Sequence, residues 1–355
     1  MAAAGFTAEG SRRLAARFAV AQENGFYRLA QGRWMSSIGI GTYLGEPDED
    51  CDARYTAAVR AAVAAGVNVI DTAINYRWQR SERAVGRALR ELFEAGAAAR
   101  DEVMVCTKAG FVTPGAAPEG IDPDEIAGGM HCMAPAFLAD QIERSRANLG
   151  VEEIDVFYLH NPETQLRHVP RAAFEDRLRA ALAALEQACR EGRIGAYGVA
   201  TWDGLRLRQD SSLRLSLGRL WELAGEAGGE DHHFRFVQLP FSLAMPEAFT
   251  RAHRGEPPWH ETVLEMAARL GITVVASAPL LQGRLAAGLP GRVREAFPQC
   301  WTDAQRALQF ARSAPGVTAA LAGMSSMAHV EENLALSQTP PAPLERWLAL
   351  FEAEE

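Results

Sequence analysis

The chain has 355 residues, 48% of them hydrophobic and 23% charged, with a formal net charge of −9. This is globular composition with ample apolar content for a large core. The acidic balance and the lack of any basic tract exclude a nucleic-acid partner. No apolar run approaches the ~20 residues that cross a bilayer, so no membrane partner is expected.

Five cysteines, Cys51, Cys106, Cys132, Cys189 and Cys300, show no paired spacing. They read as reduced thiols of a cytoplasmic protein, not as a disulfide framework or zinc site. His131, His168 and the pair His232-His233 lack the helical spacing of metal ligands, so no metal is expected. Length alone would allow two domains, but α/β barrels of this size occur as one.

Residues 1–25 have no apolar core of a secretion signal. They read as an N-terminal extension, helical or frayed, outside a single domain that covers 26–355. Within Phe26–Ser37, Gly32 marks the turn of a short hairpin. Ile38–Thr42 (IGIGT) is the first strand, and its glycines let a ligand or another backbone approach closely. A helix is expected over Asp50–Ala65. Next comes GVNVIDTAINYRWQRSERAVG: a short strand ending in Asp71, a polar turn carrying Tyr76, then a helix opening at Ser81.

The alternation continues. Strands are expected at Glu102–Lys108, Ile154–His160, Ile194–Thr201, Phe234–Leu239, Ile272–Ala276 and Val317–Ala322. Helices are expected at Pro135–Leu149, Ala172–Glu191, Leu205–Ala224, His260–Leu270, Ala304–Arg312 and Met327–Leu336. Eight strands separated by helices imply a parallel sheet closed as a (β/α)8 TIM barrel. An open dinucleotide-binding sheet would need a G-x-G-x-x-G turn that IGIGTYLG does not supply. Two long loops, 109–134 and 240–259, follow strands and are expected to overhang the C-terminal rim as substrate walls. Residues 340–355 form a tail with a last helix at Leu344–Glu352.

The strand ends carry the chemistry. Asp71, Lys108 and His160 each close a strand, and Tyr76 follows one by five residues. Singly, each has a plain structural explanation: a capping Asp, a packed Tyr, a His bonded to backbone. Together they place a carboxylate, an ammonium, an imidazole and a phenol on the rim where barrel enzymes work.

The segments DTAINY with SERAVGRAL, VMVCTK and IDVFYLHNPE resemble the aldo-keto reductase superfamily, with similarity from about Ile38 to about Asn333. The resemblance implies an NADPH-dependent barrel, with NADH as the less common cofactor, and an Asp–Tyr–Lys–His tetrad at Asp71, Tyr76, Lys108 and His160. Tyr76 would donate the proton, Lys108 would lower its pKa, and Asp71 would hold Lys108. His160 would orient the carbonyl oxygen. The cofactor would be held by Gly41, Thr42, Asp71, Asn161, Thr201, Gln238, Leu280, Gln282, Gly283, Gly323, Ser325, His329, Glu332 and Asn333.

His160 and Trp78 would face a small-molecule carbonyl or alcohol. Arg77 and Arg80 are either solvated or suited to an anionic substrate. The C-terminal tail would close the pocket. The chain departs from the family pattern where Ala200 replaces a polar residue, Ser277 an aromatic one, His329 an Arg or Gln at the adenosine phosphate, and Arg77-Trp78-Gln79-Arg80 a short glycine turn. The changes at Ala200, Ser277 and His329 keep open a redox-neutral proton-transfer enzyme on the same barrel. A redox-sensing cofactor binder is the other alternative, against which the intact tetrad argues.

Overall fold

The computed structural model describes residues 5–116, 118–254 and 260–352. Residues 1–4 of the expected extension, 117 and 255–259 of the two rim loops, and 353–355 of the tail lie outside the described residues.

Eight parallel strands close into a barrel in sequence order: Ile38–Gly41, Val69–Asp71, Met104–Ala109, Ile154–His160, Ile194–Ala200, Phe234–Pro240, Thr273–Ser277 and Val317–Gly323. The last pairs with the first, from Ala320 opposite Ile38 to Gly323 opposite Gly41. The strands are apolar runs because both faces are covered, inward by the barrel core and outward by helices. Val69, Met104, Val156, Tyr158, Phe236, Val275 and Leu321 fill the interior. Gly39 is required there, since a Cβ would stand 2.8 Å from the Leu321 side chain and 3.0 Å from the Val69 carbonyl oxygen. Gly41, one pleat on, has only distant neighbours.

The floor of the barrel is closed from the N-terminal side. The hairpin pairs Tyr27–Ala30 with Arg33–Ser36, and its Met35 packs into the interior cluster. Phe6 joins the same cluster, and its backbone N–H donates to Asp155 at 2.5 Å. The segment ahead of the hairpin is therefore no frayed tail. Its helix Ala8–Arg17 is held by Arg13 and Arg17 on Asp101 and Glu102.

Two helices start later than their apolar pattern predicts. The expected helix from Leu205 begins only at Leu217, where the Ser216 hydroxyl caps it. Asp210, Ser211 and Ser212 place turn-forming side chains within the leucine pattern and break the helical backbone there. Likewise Thr262 and Glu265 form a capping box that starts the next helix at Val263.

The tail packs away from the rim cavity. Trp347 is fully buried against Phe241, Phe249 and Phe310, and its indole N–H donates to the Phe310 carbonyl at 2.8 Å. Among the described residues, none of 340–352 lines the cavity described below. The expectation that the tail closes the pocket is thereby corrected: its aromatic side chains are spent on a helix-packing cluster. Trp347→Ala should lower stability by about 3–5 kcal/mol, read from urea denaturation, because it removes a fully buried aromatic side chain.

Candidate active site

The barrel strands deliver residues at or near their C-terminal ends to one rim. Lys108, at the end of the third strand, is fully buried, and its Nζ lies 2.5 Å from Asp71 Oδ2 at the end of the second. The same ammonium donates to the Thr72 carbonyl at 2.7 Å and to the Tyr76 hydroxyl at 3.4 Å. From across the barrel, Gln238 Nε2 donates to Asp71 Oδ1 at 2.7 Å. The His160 ring meets Tyr76 edge-on, with centroids 5.8 Å apart.

Burial dominates the electrostatics. It raises the Asp71 carboxyl above its ordinary value, with Lys108 opposing. Burial alone would lower Lys108, but Asp71 and the Tyr76 oxygen reverse this and hold it above its usual range. Burial also raises Tyr76, with Lys108 pulling it down. The expectation that Lys108 brings Tyr76 below its ordinary value is corrected: desolvation of the phenol outweighs the ammonium. His160 is driven well below its ordinary value by burial, then by Lys108, so its imidazole is neutral.

A cavity of about 680 Å³ opens at this rim, within the range of small-molecule and cofactor sites. The proposed cofactor residues Gly41, Thr42, Asp71, Asn161, Thr201, Gln238, Leu280, Gln282, Gly283, Gly323, Ser325, His329, Glu332 and Asn333 all line it, as do Tyr76, His160 and Ser277. Lys108 lies behind the surface. The backbone of the loop after the seventh strand is unusual: Ala278, Leu281 and Gln282 all have positive φ. Four buried polar atoms on the wall lack a hydrogen-bond partner: His160 Nδ1, Asn75 Oδ1, Thr201 Oγ1 and Asn333 Oδ1. A cavity walled by orphaned donors and acceptors fits a polar dinucleotide.

Trp78 departs from expectation. It is 59% exposed and lies outside the cavity. Arg77, Trp78 and Gln79 take successive left-handed conformations, φ 50°, 56° and 70°, which turn the indole outward. Arg77 is neither solvated nor aimed at the site. It is buried, ion-paired with Asp52, and donates to the Glu46 carbonyl at 2.8 Å. Arg80 joins the same carboxylate at 2.7 Å.

The aromatic wall is built instead by Tyr43, Phe111 and Trp202, with Leu44 and Asn75 beside them. Tyr43 packs edge-on against Tyr76 at 4.9 Å. Trp202 is set by buried Glu163, whose Oε1 accepts from the N–H groups of Trp202, Asp203 and Gly204 at 2.7, 3.1 and 3.2 Å. These residues lie in loops without periodicity. Their one sequence signal is position, just after a strand end. Among the described residues, the long loop 109–134 contributes only Phe111, and 240–259 contributes nothing, to the cavity wall. Among the described residues no group of three or more His, Cys, Asp or Glu is placed to hold a metal ion.

Comparison with known proteins gives the family. The model of the "Aldo/keto reductase family" matches residues 37–289. The chain belongs to that family. It is 28% identical over 182 residues to an NADH-specific methylglyoxal reductase of Escherichia coli (strain K12), covering 49% of this chain and 51% of that one. It is 32% identical over 160 residues to a D-threo-aldose 1-dehydrogenase of a Pseudomonas species, covering 42% and 44%. The chain thus spans about half the length of the curated relatives it matches. The fold matches an aldo/keto reductase of Klebsiella pneumoniae solved with NADP and acetate, at TM-score 0.64 and 24% identity, over 91% of this chain and 93% of that one.

Lys108→Met should test the ion pair. It leaves Asp71 buried without its cation, at a cost of about 3–5 kcal/mol. In the variant the folded-state pKa of Asp71 rises further above its unfolded value. The penalty is therefore full at alkaline pH and fades as pH falls and Asp71 takes up a proton. Urea midpoints of variant and wild type should lie further apart at pH 8 than at pH 5.

Proposed function

We propose that this protein is an NAD(P)H-dependent oxidoreductase that reduces an aldehyde or ketone, or oxidises the corresponding alcohol or sugar, with Tyr76 as proton donor. The observation that carries the reading is the Tyr76–Lys108–Asp71 constellation at the head of a cavity of about 680 Å³. Family membership and the relatives' NAD(P)H-linked activities support it.

When bound, the nicotinamide supplies the hydride. The chain's own residues would do the rest. Gly41, Thr42, Gln238 and Thr201 would seat the nicotinamide end. Leu280, Gln282 and Gly283 would follow the pyrophosphate, and Ser325, His329, Glu332 and Asn333 the adenosine. The carbonyl oxygen would lie between the Tyr76 hydroxyl and the neutral His160 ring. As charge develops on that oxygen, Tyr76 transfers its proton and Lys108⁺ stabilises the phenolate left behind. Asp71 holds Lys108 in place.

Among the described residues, no Lys or Arg lines the cavity. The substrate end, walled by Tyr43, Leu44, Phe111 and Trp202, therefore suits an uncharged carbonyl with an apolar or aromatic part. At the other end His329 offers no permanent charge to a 2′-phosphate. NADPH is the family's usual cofactor, and NADH remains the second candidate. The unpaired cysteines fit a reducing, cytoplasmic setting.

The deciding experiment is titration with NADPH and with NADH, followed by quenching of tryptophan fluorescence, to which Trp202 in the cavity wall should contribute. Micromolar binding of either is expected. Failure of both below millimolar would leave a redox-neutral proton-transfer role. Binding without turnover of any carbonyl would point to redox sensing.

Two kinetic outcomes follow from the site. Tyr76→Phe should lower kcat by on the order of 10²-fold with dinucleotide affinity little changed. Because burial raises Tyr76, kcat/KM should show no loss from its ionisation between about pH 7 and about pH 9. A falling limb near neutrality assigned to Tyr76 would contradict the role.

A further inference from the structure

The loop after the third barrel strand returns to the rim at His131, a residue the proposed chemistry does not use. His131 is fully buried, and its Nε2 lies 2.7 Å from the backbone carbonyl oxygen of His160. A carbonyl only accepts, so Nε2 carries the proton. Nδ1 is then an acceptor, and Gln165 Nε2 faces it at 3.3 Å. The Gln165 oxygen accepts in turn from Arg177 at 3.0 Å. Every link runs one way, from the guanidinium to the carbonyl of His160. The other end of Arg177 donates to the Asp124 carbonyl at 2.5 Å, fastening the same loop that carries His131 and Phe111. Burial pushes His131 down to about 4, which keeps it able to donate and accept together.

Three features show that the surroundings are shaped around this contact. Pairing between the third and fourth strands ends at Ala109 opposite Leu159, so His131 meets the His160 carbonyl beyond the sheet ladder. Gly110 passes directly beneath: a Cβ there would stand 2.4 Å from the His160 oxygen and 2.7 Å from His131 Nε2. Phe111 packs edge-on against both imidazoles, at 5.3 Å from each. The wall of the substrate end and the ring at the reacting oxygen are therefore referenced to one side chain.

We propose that His131 is a positioning residue for the carbonyl substrate, setting the His160 ring and the Phe111 wall together through its bond to the His160 backbone. This rests on the reductase reading. A merely structural histidine would, on removal, cost stability without separating substrate from cofactor.

The test compares His131→Phe, which loses the donor, with His131→Gln, whose amide can still donate. For each folded variant, carbonyl kinetics are measured beside dinucleotide Kd. His131→Phe should lose at least about tenfold in kcat/KM for the carbonyl, since small misplacements at the reacting centre are costly. Its dinucleotide Kd should be unchanged, and His131→Gln should recover most of the loss. Wild-type carbonyl kinetics in folded His131→Phe would overturn the proposal. So would a parallel loss of turnover and dinucleotide binding.

If the wild type reduces no carbonyl, the reductase reading fails by itself, and nitrogen-15 NMR of the histidines still decides on His131. The Nε2–H tautomer, with His160 resonances that move in His131→Phe, supports the positioning role. The Nδ1–H tautomer, or unmoved His160 resonances, sinks it. Where neither variant folds, the tautomer in the wild type gives the answer.

Discussion

The rim depends on one buried ion pair. Lys108 and Asp71 end neighbouring strands, and 2.5 Å separates their charged atoms. Removing both from water is expensive, and such a pair is tolerated only when its remaining donors and lone pairs are satisfied. Here they are. Thr72 and Tyr76 take two more ammonium protons, and Gln238 reaches across the barrel to the second carboxylate oxygen. The second, third and sixth strands are thus fixed at their ends by one charge network. The position of the Tyr76 hydroxyl is an outcome of that network. The cavity inherits its geometry from it.

Around this rigid centre, loops supply the walls, and each wall has its own anchor. Glu163 gathers three backbone N–H groups to set Trp202. Arg77, turned inward by a left-handed stretch, ties the loop after the second strand to Asp52 at the start of the next-door helix. Both anchors place a buried charge where it satisfies backbone or a partner charge, away from the reacting groups. Among the described residues, that leaves the lined cavity with carboxylates but no permanent cation.

The barrel was legible because its strands are buried on both faces and read as apolar runs. Ile154–His160 came out to the residue. Strand-end positions were legible for the same reason: where an apolar run stops at Lys108 or His160, the rim begins. What could not be read was loop conformation. Nothing local says that Arg77, Trp78 and Gln79 all turn left-handed, so Trp78 looked like a wall and Arg77 like a surface charge. Tyr43, Phe111 and Trp202 carry little local signal because their placement depends on distant partners, such as Glu163 for Trp202 and His131 for Phe111. Leucine spacing alone overran the helix at Leu205, since Asp210-Ser211-Ser212 break the backbone without breaking the apolar pattern. The direction of the Tyr76 shift depended on the depth of burial, which a sequence does not give.

The Phe6 plug fixes where the molecule can be handled. It enters the barrel floor beside Met35, at the starts of strands whose far ends carry Asp71, Lys108 and His160. Gly5, the first described residue, lies at the pole opposite the cavity. A support, tag or fused partner attached there would face away from the mouth and leave the rim loops open to solution. The same attachment would pull on a residue that seals the interior, so a spacer ahead of it protects the floor as well as the orientation.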